Sequence, residues 1–366
     1  MSWWMVAAIA SGLTAAKLLA YALLANGQFP RALCQWDCTW YVSIATHGYD
    51  TAPHLVDGQL QANWGFFPLY PLLIRGLDAL TVSAPRVAGV VISTVCFVLF
   101  AVLGVRHRAV TRGRESIWIW LLLLTAWPYG FYFHAVYTES LYAVLAIAGL
   151  LALAEQRPFA ASCACALLTA TRPTGVLLAG WIGGERLVRA ASPTSAWHAR
   201  AVRMILLPAV VAPAGLLLFM LYQYATLGDP LAFAHIQMSG WQHVARDPAV
   251  VLWQGFRTFT ANPLQDGAVY MAGWAVLGLA VTGWLLATRR FAEAWLCGAT
   301  VLMVLATGSL WGMARYVAAN PAFLLGVADL LSAIRWRILR AAILLAMADM
   351  QVMFVLSWYH GASMLN

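Results

Sequence analysis

The chain of 366 residues carries 22 Lys and Arg against 14 Asp and Glu, a formal net charge of +8, yet it is 62% hydrophobic and only 10% charged. A mean hydropathy of +0.75, with a charged fraction far below the ~25% of soluble domains, excludes a water-facing globule, because too few polar side chains exist to cover one. With no polar domain on which Lys and Arg could gather, the basic excess points to membrane topology and not to nucleic acid.

A bilayer core of ~30 Å needs about 20 apolar residues per helix. The first such stretch, Trp3 to Ala25, lacks a basic n-region and a small-residue cleavage site, so it is expected to remain as an uncleaved span. Further spans are expected at Val87 to Val105, Ile117 to Phe133, Leu141 to Ala154, Met204 to Tyr224, Ala268 to Ala287, Ala294 to Leu310, Val317 to Leu331 and Ala341 to Trp358. Between them, 159–188 has apolar arms around Thr171-Arg172-Pro173-Thr174-Gly175. Proline stops a helix there, and two short helices are expected to meet at Arg172. The expectation is an all-α polytopic membrane protein of eleven transmembrane helices, or nine plus a re-entrant pair, in one domain over 1–366.

Arg106, Arg108, Arg112 and Arg114, then Arg157, then Arg186, Arg189, Arg200 and Arg203, then Arg289 and Arg290, then Arg335, Arg337 and Arg340 all fall on alternate loops. The positive-inside rule makes those loops and the amino terminus cytoplasmic. Two long segments, 26–86 and 226–266, then lie outside, the second a candidate lid carrying His235, Gln237, Trp241 and His243, which could equally serve helix packing. Lys17 and Asp349 fall inside spans, where a charge is either functional or paired. The outer acids Asp37, Asp50, Asp57 and Asp229 lack tight ligand spacing, so no metal is expected.

In the first outer loop Trp36, Trp40 and Ile44 recur every four residues, with Asp37 and Tyr41 on the neighbouring stripe, which predicts an amphipathic helix lying in the interface. Asp37 in its first turn either caps the helix or serves as an anion stabilised by the helix dipole. Cys34 and Cys38 could bridge in an oxidising compartment, although an i,i+4 bridge within a helix strains the backbone. Cys96, Cys163, Cys165 and Cys297 lie in spans as small apolar residues. Farther on, Pro68 opens a second interfacial helix on which Leu69, Leu72, Leu73, Leu77 and Leu80 share a face.

These motifs, Trp36-Asp37-Cys38-Thr39-Trp40-Tyr41 through His47-Gly48-Tyr49 followed by Phe66-Phe67-Pro68-Leu69-Tyr70-Pro71, resemble the signature of the PIG-V-like mannosyltransferases within the GT-C membrane glycosyltransferases. Tyr137-Thr138-Glu139-Ser140-Leu141-Tyr142, Thr171-Arg172-Pro173-Thr174-Gly175, Gly228-Asp229-Pro230 and Arg315-Tyr316 extend the resemblance from about residue 30 to 325. Arg-Pro-Thr-Gly stands where eukaryotic members tend to have Arg-Ser-Asn-Gly, so a GPI-precursor acceptor is not implied.

The resemblance implies an inverting glycosyltransferase that moves a sugar, mannose by family, from a polyprenyl-phosphate donor to a hydroxyl of a lipid, glycan or protein on the non-cytoplasmic face, without a cofactor. By position Asp37 would be the general base. Arg172 and Arg315, flanked by apolar sequence at outer turns, would grip the donor phosphate; the alternatives are snorkelling to lipid headgroups or pairing with Glu139. Trp36, Tyr41, His47, Glu139 and Tyr316 are candidates for the sugar and acceptor. The Arg- and Ala-rich composition suits a bacterial plasma membrane with an outward-facing site. A lipid or sugar transporter, or a non-catalytic subunit of a glycan assembly complex with a partner chain, are the competing readings; a transporter favours broken helices meeting near the midplane.

Overall fold

The computed structural model describes the chain except residues 1, 30, 57, 82–83, 113–116, 191–206, 242, 262–266 and 362–366. Asp57, Arg114, Arg200, Arg203 and the start of the span expected from Met204 lie outside the described residues. Helices α1 (Trp3–Leu24), α2 (Cys38–His47), α3 (Leu69–Thr81), α4 (Pro85–Arg112), α5 (Ile117–Ala126), α6 (Glu139–Ala154), α7 (Pro158–Thr169) and α8 (Gly175–Ala190) build the first half. The second half holds α9 (207–211), α10 (Ala214–Leu227), α11 (Ala232–Trp241), α12 (Pro248–Ala261), α13 (Gly267–Ala287), α14 (Phe291–Ala306), α15 (Met313–Ala318), α16 (Pro321–Ala333) and α17 (Arg337–Tyr359). An antiparallel hairpin in the first loop, His54–Val56 with Gln59–Gln61 and Leu55 opposite Leu60, was not expected from the sequence.

The polytopic helical architecture holds, but helix length does not establish eleven crossings. Among the described residues α1, α4, α13 and α17 are long and apolar enough to span a bilayer, and α10 with α11, bent by 78°, would make a fifth. Several expected spans are broken where the backbone demands it. The stretch from Ile117 stops at Ala126, two residues before Pro128, and resumes as a 3-10 turn at Gly130–Phe133. The stretch from Val317 is interrupted at Asn320-Pro321, where the Asn320 side chain accepts hydrogen bonds from the Ala322 and Phe323 amides and starts α16. The bend between α10 and α11 sits at Gly228, whose φ of +74° favours glycine, and Pro230.

Helix α6 is the axis, buried along almost its whole length and packed against α4 and α7. Lys17 and Asp349 do not pair. Lys17 is buried, donating to the Leu124 carbonyl at 3.3 Å with its ammonium 4.2 Å from the Phe97 ring, whereas Asp349 lies on the exposed face of α17. The buried polar link to α17 is Gln351, which accepts from the Tyr21 hydroxyl at 3.0 Å and donates to the carbonyls of Thr125 and Trp127. Where α10 crosses α7, a Cβ at Gly215 would overlap the Ala166 carbonyl oxygen. Since backbone cannot swing aside, Gly215→Ala is expected to cost about 1–3 kcal/mol by overpacking. An unchanged thermal midpoint in detergent would contradict that contact.

Candidate functional site

Asp37 sits at the N-cap position of α2, which begins at Cys38, two residues after the Trp36 at which the side-chain periodicity started. Trp36 takes a left-handed φ of +50°, so it leaves the helical stripe and is exposed. Because Cys34 precedes the helix, the i,i+4 objection to a bridge lapses: Cys34 and Cys38 are joined by a disulfide with Cα atoms 5.2 Å apart, closing the short loop that carries Asp37. The Asp37 carboxylate makes no capping hydrogen bond. Its amide donates instead to the Tyr137 hydroxyl at 3.1 Å, and that hydroxyl donates to the Gln35 carbonyl at 3.1 Å.

The carboxylate is turned toward the short helix α15. Arg315 Nη1 donates to Asp37 Oδ2 at 2.7 Å, and Arg315 Nε lies 3.6 Å from Glu139 Oε1. Arg172, in the turn between α7 and α8, donates to the same Glu139 oxygen at 3.1 Å. The Tyr316 ring lies between the two guanidiniums, 4.6 Å from that of Arg172 and 5.6 Å from that of Arg315, with Tyr137 5.3 Å from Arg315. These are cation–π distances. Two carboxylates and two guanidiniums thus alternate in a chain whose formal charges cancel, which is what makes their burial affordable. Glu139 is fully buried at the start of α6, and its Oε2 has no hydrogen-bond partner among the described residues.

This chain of charges borders a cavity of about 470 Å³. Asp37, Tyr41, Arg172, Arg315 and Tyr316 form its polar wall; Phe66, Phe67, Trp241 and Trp311 form the apolar one. Helix α11 from the second long loop covers it with Phe233, Gln237 and Trp241, and His243 follows on the rim. Gln223 holds that cover, donating to the Trp64 carbonyl at 3.1 Å and accepting from the Phe233 amide at 3.0 Å. Gly240 lets α11 lie against the hairpin, since a Cβ there would meet the Leu60 oxygen at 2.8 Å. His235 faces away, its Nδ1 2.6 Å from Asp229.

Burial raises the Tyr41 hydroxyl pKa, and the charges of Asp37 and Glu139 raise it further. The Tyr137 hydroxyl is raised by burial and by Asp37. Both remain protonated donors at neutral pH. Burial works against the charge on Arg315 and Arg172, but the facing carboxylates outweigh it and hold both above the usual arginine range. Burial lowers His243.

Of the residues singled out in the sequence, the fold gathers Asp37, Tyr41, Arg172, Arg315 and Tyr316 on one cavity wall, with Glu139 directly behind the two arginines. Trp36 and His47 do not line it. His47 is exposed at the far end of α2, 2.8 Å from the Thr46 hydroxyl. Sequence reasoning missed Tyr137, which holds the Asp37 amide, and Trp311, which lines the mouth. Tyr137 stood two residues before Glu139 within a quoted motif; a tryptophan directly after the expected span end at Leu310 offered the only signal for Trp311.

The sequence profile described as "Mannosyltransferase (PIG-V)" matches residues 10–241. No curated protein sequence matches the chain. Among solved structures, the crystal structure of the Archaeoglobus fulgidus oligosaccharyltransferase in complex with Zn and sulfate matches at 13% identity and a TM-score of 0.46, covering 94% of this chain and 53% of that one. The archaeal oligosaccharyltransferase from Archaeoglobus fulgidus in complex with an inhibitory peptide and a dolichol-phosphate matches at 14% identity and a TM-score of 0.42, covering 96% and 56%. The chain therefore spans about half the length of these structures.

Proposed function

We propose, from the premise that the chain belongs to the mannosyltransferase (PIG-V) family, that it transfers mannose with inversion from a polyprenyl-phosphate donor to a hydroxyl acceptor on the non-cytoplasmic face of the membrane. The observation that carries this reading is the meeting of one carboxylate, Asp37, with two guanidiniums, Arg172 and Arg315, on the wall of a single half-apolar cavity. Asp37 is the general base and the arginines bind the donor phosphate.

Inversion joins the acceptor oxygen to the sugar's anomeric carbon as the bond from that carbon to the phosphate oxygen breaks. The hydroxyl proton passes to Asp37, and the phosphate leaves as a monoester with more negative charge than the diester that arrived. Fixed guanidiniums stabilise that added charge where it develops. Without donor, Arg315 is spent on Asp37. A phosphate entering the cavity competes for the guanidinium and frees the carboxylate to meet the acceptor hydroxyl as the substrate arrives. The aromatic wall suits the prenyl chain and sugar faces, and α11 acts as a lid that excludes water.

Purified protein in lipid nanodiscs is expected to transfer mannose from polyprenyl-phosphate-mannose and not from GDP-mannose. EDTA is expected to leave the rate unchanged. Equal use of GDP-mannose would overturn the donor assignment. Loss in EDTA restored by manganese would overturn the metal-free mechanism.

A further inference from the structure

At the opposite end of α6 from Glu139, about 22 Å away at 1.5 Å per residue, a second cavity of about 430 Å³ opens among α4, α6, α8 and the turn between α13 and α14. It shares no residue with the Asp37 cavity. Its polar side has an unusual division of labour. Arg290 is committed to Glu293, at 3.1 and 2.7 Å, and to Asp329 at 2.5 Å; Arg112 is committed to the same Asp329 at 3.0 Å. Both cations are already engaged with carboxylates, Asp329 being shared with Arg108 as well.

Two further groups keep unused hydrogen-bonding capacity. Arg289, in a left-handed conformation with φ of +60°, is exposed on the cavity wall and makes no ion pair among the described residues. His107 is 1% exposed; its Nε2 lies 3.4 Å from Glu293, and its Nδ1 has no hydrogen-bond partner among the described residues. A buried ring nitrogen without a partner is costly unless a ligand satisfies it. Beside these groups Leu150, Leu153 and Trp181 form an apolar flank.

We propose that this cavity binds the phosphate ester of an anionic glycerophospholipid, one molecule per chain, as a ligand separate from the donor. Arg289 supplies the planar fork that matches phosphate oxygens; His107, whose Nε2–H faces Glu293, leaves Nδ1 to accept a hydrogen bond from a headgroup hydroxyl, and the fixed charges of Arg112 and Arg290 add a favourable field. Glu293 is neutralised by Arg290, and Glu185, also on the wall, has a contact of its own. An acyl chain follows the flank of Leu150, Leu153 and Trp181 into the bilayer. Basic pockets between membrane helices are suited to anionic headgroups in this way.

Native mass spectrometry and thermal unfolding of the full chain, with phosphatidylglycerol or phosphatidylcholine as the only lipid, test the proposal. The wild type is expected to retain one phosphatidylglycerol and to melt higher with it than with phosphatidylcholine. Arg289→Glu is expected to weaken retention by about 10- to 100-fold, the value of a hydrogen-bonded contact to a charged group, with mannose transfer in phosphatidylcholine unchanged; Arg289→Lys should restore part of the retention. Equal retention of the two lipids, or equal retention by wild type and Arg289→Glu, would overturn the site. If millimolar inorganic phosphate alone reproduced the whole shift in phosphatidylcholine, the lipid as its source would be ruled out.

Discussion

Asp37→Asn is expected to lower kcat by about 10²- to 10⁴-fold, the contribution of a positioned general base, while the protein stays folded and still binds the donor. The substitution is nearly isosteric, and an asparagine oxygen can still accept the hydrogen bond that Arg315 Nη1 now gives Asp37 at 2.7 Å. The Asp37 amide stays on Tyr137 and the disulfide still closes the loop, so geometry is preserved. What is lost is the ability to take a proton. Removing one negative charge leaves the cluster of Asp37, Glu139, Arg172 and Arg315 with a net positive charge, so an anionic donor should bind no worse and its KM should hold or fall. Single-turnover transfer with polyprenyl-phosphate-mannose measures both quantities. A kcat within about 3-fold of wild type would remove Asp37 from the base role, because the smallest expected effect is ~10²-fold.

The second large effect belongs to Arg315, and lysine is the informative replacement. Alanine would leave Asp37, and the buried Glu139 beside it, short of a cation. Breaking a buried pair costs about 3–5 kcal/mol, so lost turnover in Arg315→Ala could reflect lost fold. Lysine keeps the charge but replaces a planar fork reaching two carboxylates with one ammonium. Arg315→Lys is therefore expected to stay folded, to raise the donor KM and to lower kcat by about 10²- to 10³-fold, as when one preorganised donor to a developing charge is removed. A purely structural arginine would give a changed thermal midpoint with donor affinity and kcat intact. That result, in the lysine variant, would refute phosphate binding by Arg315.

The apolar composition was enough to predict helices crossing a membrane, since a chain with 10% charged residues has no other solvent open to it. It was a poor guide to where each crossing ends. A hydropathy window sees through Pro128 and Asn320-Pro321, although each carries a visible local reason to break. The first-loop helix starts two residues later than expected for a similar reason: periodicity at Trp36, Trp40 and Ile44 is indifferent to the disulfide and the left-handed Trp36 that precede it. His47 shared that helix and was carried with it, yet ten residues of helix take it away from the Asp37 cavity.

By itself the sequence determined the family, through motifs whose order and spacing span most of the chain, and it identified the residue types such chemistry needs. Only the tertiary structure decided which of those residues meet. Asp37 and Arg315 are 278 positions apart, and no local pattern records that the turn after α7 and the short helix α15 converge on Glu139 at the start of α6. Packing also shows the pairing that the sequence posed as one alternative for the arginines: Arg172 and Arg315 both contact Glu139, and both line the cavity. The physical reason is that low-dielectric burial makes an unpaired charge costly, and the identity of a partner depends on which helices stack, not on which residues are neighbours along the chain.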